Sequence, residues 1–285
     1  MTKLTVACVQ TNAQRDPLEN IERVSPMIRE AAARGARLIT TPEIVGMLEP
    51  KRDQALAKAR PEETHEVLAA FRGLAAELGV WLLVGSISIK VSDEKMSNRS
   101  FLLDDRGQIV ARYSKIHMFD VQVGDGQTYR ESNTYQPGGE AVIAETPWGR
   151  MGMTICYDIR FPYLYRALAH AGAEVLFAPA AFTKVTGEAH WHVLQRARAI
   201  ETGCFVISAA QTGEHAEGRR TYGHSVIVDP WGRVLADAGE EVGVITAEID
   251  LAEVAAARAK VPSLTHDRSV GTPVVYGGTM LKAGE

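Results

Sequence analysis

A single cysteine near the middle of the chain separates a strand pattern from a helix pattern. Residues 152–155 are mostly apolar and predict a strand that leads directly into Cys156, whereas residues 162–171 repeat apolar side chains at helical spacing. A strand followed at once by a helix favours an α/β fold, in which ligands bind at the carboxyl ends of the strands. At such an end, Cys156 is either a nucleophile exposed on a turn or a buried structural thiol.

The alternation of strands and helices continues along the chain. Residues 4–9, 21–35 and 37–41 predict a strand, a helix and a second strand, which together form a right-handed βαβ unit. Residues 98–103 and 108–113 predict a hairpin without an intervening helix, so the sheet is expected to be mixed. About a dozen predicted strands, many of them apolar throughout, favour two mixed sheets packed face to face with helices on their outer faces.

The composition argues against several classes of protein. The chain has 285 residues, of which 46% are apolar and 23% charged, and its net charge of −4 comes without a basic block. Nucleic acid and anionic membranes are therefore not expected partners. Three well-separated cysteines (Cys8, Cys156 and Cys204) favour a reducing compartment, and no apolar run approaches the ~18 residues of a membrane span. Because residues 1–10 predict a strand and not a signal sequence, we expect a cytoplasmic protein.

Three polar side chains each follow an apolar strand: Glu43, Lys115 and Cys156. Taken one at a time, each is compatible with a solvated charge or a core thiol. Together they form a chemical set of an acid–base group, a fixed cation and a thiol nucleophile, and strand ends in a layered α/β fold gather on one side. Asp158 is a further candidate, either for catalysis or for capping the following helix.

Other catalytic and metal-binding motifs are weaker. The sequence contains no Gly-x-Ser-x-Gly, His-Glu-x-x-His or Cys-x-x-Cys pattern. His190 and His192 have His-x-His spacing, but on a helix the two side chains point in different directions, so no metal site is predicted there.

Three motifs carry a resemblance to a known family. They are TPE at residues 41–43, YSKIHMFD at residues 113–120 and CYDIRFP at residues 156–162. On these motifs the chain resembles the nitrilase superfamily of carbon–nitrogen hydrolases. The resemblance implies a four-layer αββα sandwich of two mixed sheets with outer helices, a hydrolase domain at residues 1–268 and an irregular tail at residues 269–285. It also implies assembly into homodimers or larger homo-oligomers.

The family's Glu-Lys-Cys triad corresponds here to Glu43, Lys115 and Cys156, and its second glutamate corresponds to Glu131. A thiol is a poor nucleophile at its reference pKa of about 8.5, so Glu43 is expected to accept its proton. Lys115 is expected to favour the thiolate and to donate to the developing oxyanion, with the backbone N–H of Tyr157 as the second donor. Attack on an amide carbonyl then forms a thioester that water hydrolyses, and this reaction requires neither a cofactor nor a metal.

Further motifs resemble the Nit-type amidases, which cleave linear amides of small carboxylated metabolites. RESN at residues 130–133, AAQ at residues 209–211 and YGHS at residues 222–225 favour the branch that hydrolyses deaminated glutathione to 2-oxoglutarate and cysteinylglycine. An ω-amidase acting on 2-oxoglutaramate and an N-carbamoyl amino-acid hydrolase are alternative enzymes. A non-catalytic binding protein on the same fold is an alternative of another class.

Four residues are candidates for substrate binding. Arg130 and Arg160 could each bind a substrate carboxylate through two parallel hydrogen bonds. Alternatively, Arg130 is a solvated loop residue, and Arg160 supports the turn after Cys156. Phe182 and Thr183 follow a predicted strand end, where they could line the pocket, although Phe182 equally suits core packing.

Overall fold

Two six-stranded sheets form the centre of the molecule, which a computed structural model describes over residues 3–124, 126–274 and 276. The first sheet has the spatial order β16 (Gly243–Asp250), β1 (Lys3–Gln10), β2 (Leu38–Thr40), β3 (Trp81–Lys90), β4 (Met96–Leu103) and β5 (Ile109–Ser114). The second has the order β15 (Val234–Asp237), β14 (Val226–Val228), β11 (Phe205–Ser208), β10 (Val175–Phe177), β9 (Arg150–Met153) and β8 (Val142–Glu145). Two small hairpins pair β6 (Asp120–Gln122) with β7 (Thr128–Arg130) and β12 (Thr212–Glu214) with β13 (Arg220–Tyr222).

The two sheets share one pairing pattern. In the first, β1 is antiparallel to β16 and parallel to β2, β2 is parallel to β3, and β3–β4 and β4–β5 are antiparallel. The same series runs from β8 through β9, β10, β11 and β14 to β15 in the second sheet. The central strands β2 and β10 are buried along their whole length, as expected for parallel strands covered on both faces.

Helices cover the outer face of each sheet. Helices α1 (Pro17–Ala33) and α3 (Glu66–Leu78) pack on the first sheet, and α4 (Pro162–His170) and α5 (Lys184–Thr202) lie with the second. Helix α1 begins where Asp16 accepts hydrogen bonds from two backbone N–H groups and Pro17 occupies the first turn. Val24 and Ile28, one turn apart, then bury one face of this helix. The predicted four-layer αββα sandwich is confirmed.

The apolar core is divided by the first sheet. Between the two sheets, side chains such as Leu83 and Leu102 meet Met151 and Met153 from the second sheet. On the opposite face of the first sheet, Phe71 belongs to a separate cluster beneath α1 and α3. Each strand of the first sheet therefore sends alternate side chains into two different cores.

Some local predictions differ from the structure. The predicted loop at residues 120–139 contains the β6–β7 hairpin and a 3₁₀ helix, Glu131–Asn133. The short helix α2 (Arg52–Lys58) was not predicted, because only Ala55 is buried along it and the apolar periodicity is weak. The last helix, α6 (Ala252–Lys260), agrees with the prediction at residues 251–259.

Residues 266–274 contain no helix or strand. The rest of the predicted tail, apart from residue 276, lies outside the described residues. Among the helices that the structure describes, none is both long and apolar enough to cross a membrane.

Candidate active site

Glu43, Lys115 and Cys156 converge on one cavity of about 500 Å³. Lys115 directly follows β5, Glu43 follows β2, and Cys156 follows β9 as the first residue of a 3₁₀ helix, Cys156–Arg160. Two of these strands belong to the first sheet and one to the second, so the set exists only because the sheets are stacked. All three residues are buried, with exposed fractions of 3% for Glu43, 2% for Lys115 and 7% for Cys156.

The Lys115 ammonium lies between two carboxylates. Its Nζ is 2.8 Å from Oε1 of Glu43, and it is 3.0 and 2.8 Å from the two carboxylate oxygens of Glu131. The Asn98 side-chain amide donates to both acids, to Oε1 of Glu43 at 2.9 Å and to Oε1 of Glu131 at 3.2 Å. The backbone N–H of Phe119 donates to Oε2 of Glu131 at 2.7 Å. These contacts hold the lysine in one position. They also supply the paired charges and hydrogen bonds that a buried cation requires.

Glu43 faces both sheets. Its Oε2 accepts the backbone N–H of Ala181 at 2.9 Å, and its carboxylate is close enough to the Cys156 thiol for each group to shift the pKa of the other. Its backbone carbonyl accepts Nε2 of Gln211 at 3.0 Å. The strand β3 passes so close that a Cβ on Gly85 would lie 1.9 Å from the carbonyl oxygen of Thr41, so a side chain there would displace the backbone that leads into Glu43.

The backbone at Cys156 is in the left-handed region, with a φ of +48°. A non-glycine residue rarely adopts this conformation, and it typically occurs where surrounding contacts enforce it. The N–H of Cys156 donates to the carbonyl of Pro179 at 2.9 Å, which ties the turn to the neighbouring strand end. Ile44, directly after Glu43, has a φ of +52°. The reactive residues of both sheets therefore lie on tight, enforced turns.

Asp158 supports the cysteine turn from below. Its buried carboxylate accepts the N–H of Ile155 at 2.9 Å and the hydroxyl of Tyr113 at 2.6 Å. It also accepts the N–H of His117 at 3.1 Å and lies 2.7 Å from Nδ1 of that ring. These contacts are structural, but they are not the predicted cap of the following helix, because α4 has Phe161 at its N-cap and no side-chain cap hydrogen bond. They join the segment around Lys115 to the turn that carries Cys156.

The electrostatics of the site set its resting protonation. Burial favours the neutral form of Glu43, but the charge and hydrogen bonds of Lys115 outweigh this and hold the pKa of Glu43 below its ordinary value. Burial raises the pKa of the Cys156 thiol well above its ordinary value, the Glu43 carboxylate raises it further, and Lys115 offsets only part of the increase. Burial opposes the charge of Lys115, but Glu131 and Glu43 raise the pKa of this amine well above its ordinary value. The resting site therefore holds a neutral thiol beside a carboxylate and an ammonium. Lys115 lowers the pKa of the thiol, the direction in which it was expected to act, but burial and Glu43 outweigh its effect.

Some of the predicted substrate-binding residues line the cavity and others do not. Arg130, Tyr157 and Phe182 line the cavity, together with Glu131. Thr183 does not line it. Its buried hydroxyl accepts the N–H of Thr186 as the N-cap of α5, so the strand-end argument placed this side chain on the wrong face.

Arg160 is also outside the cavity lining. Its guanidinium lies 5.3 Å from the centre of the Phe182 ring and 5.9 Å from that of Tyr157, and Nη1 is 3.2 Å from Nδ1 of His190. Arg160 therefore packs behind two residues that form the cavity wall.

Sequence reasoning missed several residues of the cavity. Asn98 lies within β4, where its neighbours give a strand pattern and no sign of an amide that bridges two acids. Arg219 and Tyr129 line the cavity from two hairpin regions, and the guanidinium lies 5.8 Å from the centre of the tyrosine ring. Residues 97–100 of this strand are all polar or charged, so no signal in the sequence distinguished Asn98 from its neighbours.

A comparison with protein families decides the class of this protein. The sequence model for carbon–nitrogen hydrolases matches residues 5–259. The chain belongs to the carbon–nitrogen hydrolase family. It is a hydrolase of carbon–nitrogen bonds other than peptide bonds, and the resemblance to the nitrilase superfamily is confirmed.

Individual relatives agree with this assignment. A protein of Yersinia enterocolitica named deaminated glutathione amidase is 40% identical over 280 residues, which cover 96% of this chain and 96% of the relative. The crystal structure of the C. elegans NitFhit protein matches with a TM-score of 0.88 and 35% identity, over 94% of this chain and 66% of that chain.

A third relative is informative about chemistry. An amidase from Nesterenkonia sp. AN1 matches with a TM-score of 0.79 and 25% identity, over 93% of this chain and 94% of that chain. In a glutamate-to-glutamine mutant of that enzyme, the active-site cysteine carries the acetamide moiety of fluoroacetamide.

One group of side chains has the composition of a metal site. His192, His224 and Asp237 bring potential ligand atoms within 4.8 Å of one another, at the surface of the second sheet. Nε2 of His192 lies 2.7 Å from Oδ2 of Asp237, and Nδ1 of His224 lies 2.9 Å from Oδ1, which also accepts the N–H of Gly239. The Asp237 carboxylate thus has three partners within the protein. His190 contacts Arg160 instead, as expected for two side chains that point apart.

Proposed function

We propose that this protein is a cysteine-dependent amidase that hydrolyses deaminated glutathione to 2-oxoglutarate and cysteinylglycine. The observation that carries the proposal is the single cavity in which the buried Cys156 thiol lies with the buried Glu43 carboxylate and the fixed Lys115 ammonium. The substrate follows from the relatives, since the protein of Yersinia enterocolitica is named for this activity and matches over nearly the whole chain.

Acylation begins with the transfer of the Cys156 proton to Glu43. The sulfur attacks the amide carbonyl carbon, the carbonyl π bond breaks, and the negative charge moves to the oxygen. Nζ of Lys115 and the backbone N–H of Tyr157 then stabilise this oxyanion, a type of contact worth about 100- to 1000-fold in rate. The carbon–nitrogen bond then breaks as Glu43 returns the proton to the leaving amine, which leaves a thioester on Cys156.

Deacylation uses the same groups in the opposite sense. Glu43 removes a proton from water as the water oxygen attacks the thioester carbonyl, and Lys115 again stabilises the oxyanion. When this second intermediate collapses, the carbon–sulfur bond breaks and the sulfur takes the proton back from Glu43. The products are the free acid and the resting thiol, so atoms and protons balance without a metal or cofactor.

Glu131 completes the site as a positioning residue. Because it binds Lys115 through both carboxylate oxygens, it fixes the direction in which the ammonium points. Glu43 is then free to exchange a proton with Cys156 without releasing the lysine.

The direct test is the release of both products by the purified protein. We expect 2-oxoglutarate and cysteinylglycine to form in equal amounts from deaminated glutathione, and mass spectrometry of rapidly quenched enzyme to find a 2-oxoglutaryl thioester at Cys156. Fast hydrolysis of 2-oxoglutaramate without turnover of deaminated glutathione would instead identify an ω-amidase. Failure to cleave either amide would contradict the proposal.

We further propose a homodimer or larger homo-oligomer. Tyr163 on α4 and Val185, Val193 and Ile200 on α5 are exposed on the outer helical layer, which supports a contact between copies. Light scattering should give a mass of at least two chains, and Val193→Glu should reduce it.

The boundary after residue 268 is also a proposal. Asp267 forms an ion pair with Arg166 of α4, which supports inclusion of the chain up to this point in the hydrolase domain. A chain that ends at residue 268 should keep its activity.

Three cysteines without a disulfide support a reducing location such as the cytoplasm, which localisation of a tagged protein tests.

A further inference from the structure

The cavity contains an arginine that forms no ion pair with the described residues. Arg219 lines the cavity, and in the part of the chain that the structure describes it has no carboxylate partner within ion-pair distance. Its Nε is buried without a hydrogen-bond partner among the described residues, whereas Nη2 donates to the carbonyl of Ala181 at 3.3 Å. A half-buried guanidinium whose buried Nε is an unused donor is suited to a carboxylate ligand.

The other arginines of the cavity are less suited to this role. Arg52 is occupied by the backbone carbonyls of Asn133 and Glu94, at 3.3 and 2.9 Å. Arg130 is exposed, so its charge is largely screened by solvent. The neighbouring acid Glu217 lies 2.8 Å from Arg15 and 3.3 Å from Lys51, so it is not available to Arg219.

The charge of the reactive residues makes a cation necessary. Two carboxylates, Glu43 and Glu131, surround a single ammonium, Lys115, which leaves one excess negative charge in a site of low dielectric. A substrate that carries carboxylates is repelled by this charge unless a nearby cation compensates for it. Arg219, which is half-buried and has no ion-pair partner among the described residues, is the cation of the cavity suited to do so.

The position of Arg219 indicates which substrate carboxylate it meets. Glu43 must return a proton to the leaving nitrogen, so the leaving amine begins beside Glu43. Ala181 connects the two side chains, because its N–H donates to Glu43 and its carbonyl accepts from Arg219. An extended dipeptide spans only about 7 Å, which fits inside a cavity of about 500 Å³.

We infer that Arg219 is a specificity-determining residue that binds the terminal carboxylate of the leaving amine, with Tyr129 packed against the guanidinium. The inference rests on the proposed function and adds to it, since it assigns the selection of a carboxylated leaving group to a residue outside the Glu-Lys-Cys set. It predicts that the enzyme distinguishes leaving groups by their charge and not only by the acyl half.

The test compares two substrates that differ in one group: deaminated glutathione and its C-terminal carboxamide. We expect wild-type kcat/KM to be about 10- to 100-fold higher for the carboxylate, the range of a charged hydrogen bond. Arg219→Gln should lower kcat/KM for the carboxylate by a similar factor and for the carboxamide by less than about threefold. Arg219→Lys should give an intermediate loss, because it keeps the charge but not the fork.

Arg220→Gln is the matched control. Arg220 is exposed, outside the cavity lining and 4.0 Å from Glu214, so this variant should behave as wild type on both substrates.

Two outcomes overturn the inference while the proposed function stands. One is that the wild-type enzyme cleaves both substrates equally well, a result that does not depend on whether any variant folds. The other is an equal loss on both substrates in Arg219→Gln, which would mean that Arg219 acts through Glu43. A wild-type enzyme that cleaves neither substrate removes the proposed function and the inference with it.

Discussion

The two sheets have the same pairing pattern, but different functional residues follow their corresponding strands. In this pattern β1 corresponds to β9 and β2 to β10. The segment after β2 carries Glu43, while the segment after β10 carries Ala181, whose N–H binds that carboxylate. Cys156 follows β9, while the corresponding end of β1 leads to Thr11, which pairs with Gln211. One arrangement of strands thus produces a charged half-site and a neutral half-site.

The halves are also held by different forces. The first sheet positions its groups with ion pairs, since Lys115 is fixed between Glu43 and Glu131. The second positions Cys156 mainly through the backbone, with a left-handed φ and a hydrogen bond to the carbonyl of Pro179. We therefore expect changes in the first half to alter protonation and stability, and changes in the second to remove the nucleophile at little cost to folding.

The largest effect is expected at the nucleophile. Cys156→Ala should lower kcat by at least about 10⁴-fold, because no thioester can form, while the melting temperature changes little. Cys8→Ala is the matched control, since Cys8 is a buried thiol in β1, the strand that corresponds to β9. It should retain turnover even if it loses some stability. Substantial activity in Cys156→Ala would refute the covalent route.

Removal of the base is expected to have the next largest effect. Glu43→Gln should lower kcat/KM by about 10²- to 10⁴-fold, because both proton transfers lose their acceptor. It should also bring the pKa of Cys156 closer to its ordinary value, since the Glu43 charge is one of its causes. The pH dependence of alkylation by iodoacetamide measures this change.

The control for the base is Glu62→Gln. Glu62 is a partly buried carboxylate paired with Arg99 and Arg112, and it does not line the cavity. This variant should keep wild-type kcat/KM and the wild-type alkylation profile. If Glu43→Gln has the same alkylation profile as wild type, the charge of Glu43 does not influence the pKa of Cys156. The two half-sites would then be electrostatically independent, which would contradict this prediction.

Removal of the Lys115 charge tests how much its ion pairs with Glu43 and Glu131 contribute to the stability of the fold. Lys115→Met leaves Glu43 and Glu131 buried without a counter-charge, which typically costs about 3–5 kcal/mol in the free energy of unfolding. Urea titration at pH 7 measures this loss. It should be smaller at about pH 5, where protonation of the carboxylates relieves their repulsion. Unchanged stability would show that the carboxylates find other partners.

The smallest effect is the acid limb of the wild-type pH profile. Since the pKa of Glu43 is held below its ordinary value of 4.5 and the base acts as a carboxylate, kcat/KM should stay level from pH 7 to about pH 5 and fall only below that. The stability that Lys115 confers on ionised Glu43 should be lost over the same acidic range, as Glu43 becomes protonated in the folded state. A decline centred above about pH 6 would assign the base to another group.

The sequence alone determined the class of fold and the identity of the three converging residues. Apolar periodicity is a local property, so the strands, most helices and the positions of Glu43, Lys115 and Cys156 at strand ends followed from it. The family resemblance located Glu131, which binds Lys115 in the structure.

Only the tertiary structure decided the rest of the cavity. Asn98 is 55 residues from Glu43, and Arg219 is 38 residues from Ala181, so neither contact leaves a local pattern in the chain. Thr183 turned out to cap α5, because the direction of a side chain at a strand end depends on the helix that follows. The neutral state of the Cys156 thiol is likewise a tertiary property, since burial and the charges of two segments from the other sheet determine it.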